Sequence, residues 1–192
     1  MLLRNIATIA GLFLGSVTLI NSARAVEFSH AELDQGKIVA IASPYGDNQH
    51  QLLIVEQISA GRLCWSEKRT ETGMVIINPL LGEFDFTGIC RRSTDSNGYS
   101  VRLNNQDLGW KYGLKIMRRE NDLLLVAVST TRREAHRLVV GRTKGNSGGG
   151  FVKIHLNPGW RMTRRAFKGQ VTGHIYLTHD QPLTVLEKTD AL

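Results

Sequence analysis

Two cysteines constrain this chain more than any other feature, because each has only the other as a partner within the molecule. Cys90 closes an aromatic and apolar run (Phe84, Phe86, Ile89). A polar turn follows it, in which Asp95, Ser96, Asn97 and Gly98 each favour tight backbone geometry. Asn97-Gly98 is the strongest two-residue hairpin signal in the sequence. A strand pattern comes next, with Tyr99, Val101 and Leu103 facing one way and Ser100, Arg102 and Asn104 the other.

Whether the cysteines pair depends on the compartment, and the N-terminus bears on that. Arg4 precedes an uncharged apolar run from Ile6 to Ile20, and Ala23-Arg24-Ala25 fits a small-x-small cleavage pattern. Residues 1–25 therefore read as a signal peptide cut after Ala25, and residues 26–192 as a single β-rich domain. The apolar run is shorter than the roughly 20 residues of a membrane span, so no stable span is expected after cleavage; the alternative is an uncleaved anchor. An exported chain meets an oxidising environment, where Cys64 and Cys90 pair. Two buried free thiols are the alternative. Neither cysteine has the neighbours of a metal site, and no cofactor is expected.

The periodicity is that of strands. Residues 37–42 are apolar on both faces, as in a doubly covered strand. Residues 51–58, 63–65 and 74–77 follow, the last stopped by Pro79. Residues 114–119 and 123–128 flank Glu120-Asn121-Asp122 as a hairpin. Residues 138–140 are short and apolar, whereas 151–156 and 171–177 alternate with the period of two that one covered face demands. Residues 28–33 suggest a helical turn with Ser29 and Glu32 as a capping box, and 183–186 a last strand. About ten short strands with turns between them predict an all-β, antiparallel sandwich or barrel-like domain.

Four segments occur in one order: 43–46 ahead of 51–58; 64–67; 84–90 with the Ser-Thr-Asp-Ser-Asn-Gly-Tyr-Ser tail; and 156–161. Together they resemble an exported cyanobacterial family known as domain of unknown function 3747, over residues 28–178. The resemblance implies export and a stand-alone or modular envelope protein, and brings no catalytic residues with it.

Four constellations invite chemistry. Gly145-Asn146-Ser147-Gly148-Gly149 resembles the nucleophile loop of trypsin-like proteases, with His50 and Asp95 ahead of Ser147 in the order of that fold. Glycine stands at 150 where that loop has proline, and the chain is short for two barrels, so a glycine-rich loop is the simpler reading. Glu83 and Asp85, flanking Phe84, would share one face of a strand about 7 Å apart, a separation glycosidases use. A half-exposed strand gives the same pattern. The histidines default to solvent-facing strand positions, and Asp95–Gly98 has oxygen ligands in a row but no later glutamate, so a tight turn explains it without calcium.

Charge is the most suggestive feature. The formal net charge is +7. Between Arg132 and Lys168 bases outnumber acids ten to one, whereas between Val26 and Ala60 acids outnumber bases five to one. That asymmetry predicts an anionic partner for the basic half. The expected surface comprises Trp160, as a sugar-stacking aromatic, with Arg161, Arg164, Arg165 and Lys168, helped by Arg132 and Arg133. The expectation is a non-enzymatic module of the periplasm, cell wall or extracellular space that binds cell-wall or acidic polysaccharide. Nucleic acid is excluded as a partner by export and by the lack of a motif. The alternatives are an envelope hydrolase built on Glu83 and Asp85 or on Ser147, and an accessory module docking on a protein through the acidic half.

Overall fold

The computed structural model describes residues 28–131, 136–146 and 148–189. The leader with its cut after Ala25, and Arg132, Arg133 and Ser147, lie outside the described residues. Strands dominate, as the periodicity predicts, and form two curled sheets. Strand labels follow chain order. The larger sheet runs β6 (Cys90–Ser93), β3 (Gln49–Gln57), β2 (Ile38–Tyr45), β12 (Phe151–Leu156), β11 (Arg137–Arg142), β10 (Asp122–Ser129), β9 (Tyr112–Arg119). A hairpin of β4 (Trp65–Arg69) and β5 (Val75–Pro79) joins it through β12. The smaller sheet runs β1 (Ser29–Glu32), β13 (Arg161–Phe167), β14 (Gln170–His179), β7 (Tyr99–Leu103), β8 (Gln106–Asp107).

The main core lies between the sheets. Ile38, Ala40, Leu52, Ile54, Leu125 and Val140 of the larger sheet meet Val101, Leu103, Ile175 and Leu177 of the smaller one. Strand β2 is buried on both faces, as its unbroken apolar run predicts. Its opposite face (Val39, Ile41) packs with Val55, Val75, Ile77 and the Cys64–Cys90 pair in a second core. That pair is a disulfide, with Cα atoms 5.8 Å apart. It ties the segment leading into β4 to β6, and the 81–89 loop with Phe84 and Phe86 covers the same layer.

Several local expectations give way to tertiary pairing. Residues 29–32 form β1 rather than a helical turn, because the free edge of β13 takes them as a partner. A 3-10 turn at Gln35–Lys37, capped by the Asp34 side chain, is the helical piece nearby. Residues 183–189 form helix α1 (Leu183–Thr189) rather than a strand; Pro182 suits a helix start, and Leu186 is buried in the main core. Asn97-Gly98 makes no hairpin: the turn carries the chain from β6 in one sheet to β7 in the other, held by the N–H groups of Gly98 and Tyr99 on the Asp95 carbonyl. Strand β7 then runs parallel to β14, so the architecture is not wholly antiparallel. No described helix is long and apolar enough to cross a membrane.

Candidate functional site

Part of the charge asymmetry of the sequence is taken up by ion pairs within the molecule. Strand β13 carries Arg161, Arg164 and Arg165, and each reaches an acid from elsewhere in the chain. Arg161 donates to Glu32 at 3.0–3.1 Å and to Asp180 at 2.9–3.0 Å, which holds both carboxyls below their usual range. Arg164 is buried between the sheets; it pairs with Glu56 of β3 and donates to the Thr172 carbonyl. Strand alternation places the next side chain, Arg165, on the opposite, outer face of the sheet, where the β13–β14 register shifts. There Arg165 meets Asp107 at 2.7 Å and the Tyr176 hydroxyl at 2.7 Å. Lys168 remains exposed, its ammonium 5.3 Å from the Phe167 ring.

Trp160 does not offer its ring to a sugar. It is buried, with its edge against His179 at 5.3 Å between ring centres. Gly159 makes this possible: its φ is +84°, and a Cβ there would fall 2.2 Å from the His179 Nε2. Gly159→Ala is therefore expected to cost about 2 kcal/mol, from a left-handed backbone plus displacement of His179. Urea denaturation measures it; a loss under about 0.5 kcal/mol would mean that the ring moves aside freely.

The hydrolase candidates fare differently. Residues 81–89 are turns rather than a strand, so Glu83 and Asp85 share no strand face. Asp85 accepts from the Thr87 N–H in a local turn. His50 lies on β3, buried, with Nε2 unpartnered among the described residues, while Asp95 accepts from the Asn97 N–H. No bond between His50 and Asp95 orients a base there. The solvent-facing expectation for the histidines is likewise corrected, since His50, His174 and His179 are all buried.

The chemistry that does converge lies on the outer face of the smaller sheet. A cleft of about 480 Å³ is lined by Phe28, Ser96, Asn97, Ser100, Asp107, Gly109, Trp110, Arg165 and His174. Its parts come from distant chain segments. Alternation along β7 turns Ser100 outward while Tyr99 and Val101 fill the core, and the same alternation on β14 turns out His174 and Tyr176. The parallel pairing of β7 with β14 brings these rows together. Asn104 and Asn105, both at positive φ, turn the chain into β8, which delivers Asp107.

One hydrogen-bonded network fixes the floor. His174 Nε2 lies 2.8 Å from Ser100 Oγ, and His174 Nδ1 lies 2.8 Å from the Asn97 carbonyl. Asp107 accepts from the Gly109 N–H at 2.9 Å, the Tyr176 hydroxyl at 2.9 Å and Arg165. Its carboxyl is held below the usual value, burial being outweighed by those donors and by the Arg165 charge. Burial pushes the Tyr176 hydroxyl up to about 12. Burial also lowers His174, with the Arg165 charge adding to it, so the imidazole is neutral at pH 7. The Arg165 guanidinium is clamped between the rings of Phe28 (4.7 Å) and Tyr176 (5.0 Å).

Trp110 stands at the rim, 72 % exposed, with the Lys111 ammonium 4.8 Å from its ring. Nothing in the hydrophobic pattern marks it. The available signal is a lone aromatic between Gly109 and Lys111, ahead of the 114–119 strand.

A family model described as a protein of unknown function (DUF3747) matches residues 5–182. No curated protein and no solved structure matches the chain.

Proposed function

We propose that this chain, which belongs to the DUF3747 family, is an exported envelope protein that binds a glycan in the cleft beside Trp110. The observation that carries the reading is Trp110: a large aromatic left 72 % exposed at the rim of a polar cleft. Exposing an indole costs favourable burial, and a sugar ring is a partner whose C–H face stacks on it while its hydroxyls reach polar groups. Ser96, Asn97 and Arg165 on the cleft wall suit those hydroxyls.

Between an acidic polymer and a neutral glycan, the pairing of charges favours the neutral one. Arg161, Arg164 and Arg165 are each matched by a carboxylate, and Arg165 with Asp107 gives the cleft a balanced pair. Export is supported by the charged, apolar and small-residue succession ending at Ala25 and by the Cys64–Cys90 disulfide.

Trp110→Ala is expected to weaken binding of soluble cell-wall glycan fragments at least tenfold, as loss of one stacking aromatic at a binding centre does. Calorimetric titration reads it. Binding that survives this change but fails after Lys168→Glu would return the site to the basic strand.

A further inference from the structure

We propose that Ser100 is a nucleophile and His174 its general base, and that the cleft hydrolyses an O-acyl ester carried by the glycan that stacks on Trp110. This rests on the binding reading above for the identity of the substrate, and on the floor of the cleft for the chemistry.

The Asn97 carbonyl only accepts hydrogen bonds, so the 2.8 Å contact places the proton of neutral His174 on Nδ1. Nε2 is then an unprotonated lone pair, and the Ser100 hydroxyl 2.8 Å away donates to it. Nucleophile, base and orienting acceptor thus stand in the order that hydroxyl activation requires, with a main-chain carbonyl where an aspartate is common. Burial keeps the imidazole in its basic form at neutral pH.

Two further observations separate this pair from a structural tie between strands. Asp107 Oδ1 lies 3.4 Å from Ser100 Oγ, against 2.8 Å for His174 Nε2, so the shorter contact directs the hydroxyl proton to the imidazole, while Gly109, Arg165 and Tyr176 hold the carboxylate in place. The second is Gly109. A Cβ there would stand 2.8 Å from Ser100 Cβ and 3.2 Å from Ser100 Oγ, so glycine keeps open the space beside the hydroxyl within the cleft.

The reaction balances without a further reagent. Ser100 Oγ attacks the ester carbonyl carbon as its proton passes to His174 Nε2. The tetrahedral intermediate collapses, the C–O bond to the sugar breaks, and Nε2 returns the proton to the departing sugar oxygen. Water then attacks the acyl-Ser100 carbonyl, giving its proton to Nε2, and the carboxylic acid leaves as Ser100 Oγ takes that proton back. An ester fits because a single histidine serves both proton transfers, and a cleft of about 480 Å³ suits a sugar ring with a short acyl group.

The test uses the full chain with three probes: a fluorophosphonate, 4-nitrophenyl acetate and O-acetylated cell-wall glycan fragments. The expected result is phosphonylation at Ser100, located by peptide mass spectrometry, and acetate release that falls at least 100-fold in Ser100→Ala and in His174→Gln. The rate should rise with pH with a midpoint below the ordinary histidine value of 6.5. Gly109→Ala, which crowds the hydroxyl, should slow labelling while circular dichroism shows the fold retained. Glycan binding by the unmodified protein is measured separately by titration. Binding without labelling or turnover overturns the esterase and leaves the binding reading standing; labelling and ester turnover without glycan binding do the reverse. Turnover that persists in Ser100→Ala overturns the nucleophile assignment outright.

Discussion

Arg164→Ala is expected to destabilise the protein by about 3 kcal/mol, at the low end of the range for breaking a buried ion pair. Arg164 is 5 % exposed and sits between the two sheets, where it pairs with Glu56 and donates to the Thr172 carbonyl. Truncation leaves the Glu56 carboxylate facing the core edge with only the more exposed Arg91, at 3.3 Å, to balance it. It also removes the side-chain donor to the Thr172 carbonyl on β14. The low end of the range follows from that residual arginine. Replacing Arg164 and Glu56 together by apolar residues of similar volume should cost less than Arg164→Ala alone, because no charge is then stranded. Denaturant unfolding of the four proteins of the double-mutant cycle measures both effects. Equal losses for the single and double changes would mean that packing of the arginine stem, not the charge pair, is what matters.

Removing the disulfide is the second large effect. The bridge joins residues 26 apart, and closing such a loop lowers unfolded-chain entropy by an amount worth roughly 3.5 kcal/mol. Cys64→Ala with Cys90→Ala should cost about that much, with a further loss from two truncated side chains in the second core. The effect has an address. Phe84 and Phe86 pack in that layer, and the N–H groups of Ile58 and Ser59 bond to the Ile89 carbonyl. Hydrogen exchange should therefore accelerate first in β4, β5 and the 81–89 loop, while the Ser100–His174 floor on the opposite sheet keeps its protection. Uniform acceleration across both sheets would show that the staple holds the whole fold rather than one layer.

Much of the fold was legible because strand periodicity is a local property. The alternation in 151–156 and the doubly apolar run opening β2 each declare which faces are covered, and the sheets cover those faces. The alternations in 99–103 and 171–177 mark the core-facing rows correctly from Tyr99 to Leu103 and at Ile175 and Leu177, but the opposite rows are buried too, under polar contacts the pattern does not show, and Val171 is exposed. Strand β13 was not legible as a strand. Its sequence, with three arginines among seven residues, reads as a basic stretch, and only acids from β1, β3 and β8 make it affordable in a sheet. Glu32 and Glu56 of the acidic stretch take Arg161 and Arg164 of the basic one, so these two arginines are paired within the molecule, as Arg165 is with Asp107.

The cleft was illegible for a different reason. Ser100 and His174 are 74 residues apart, and their meeting depends on a parallel pairing that nothing in either strand announces. Asn97-Gly98 pointed the wrong way, since its usual hairpin would have paired β6 with β7 and left β14 elsewhere. The turn chemistry was right locally, with Asp95 accepting from Asn97 and Gly98, yet the strands it joins belong to different sheets. Turn residues set the direction of the chain over four residues, and the apolar faces beyond decide which sheet each strand enters.

The outer face of the smaller sheet, around Trp110, is where we propose that this protein meets its ligand. The most direct measurement is a ¹⁵N NMR titration of the protein with soluble cell-wall glycan fragments, following backbone amides and tryptophan side chains together. Shifts are expected to saturate at the Trp110 indole N–H, Asn97, Gly109 and His174, and to vanish in Trp110→Ala. Shifts centred on Lys168 and the exposed arginines, or none at millimolar glycan, would contradict that placement.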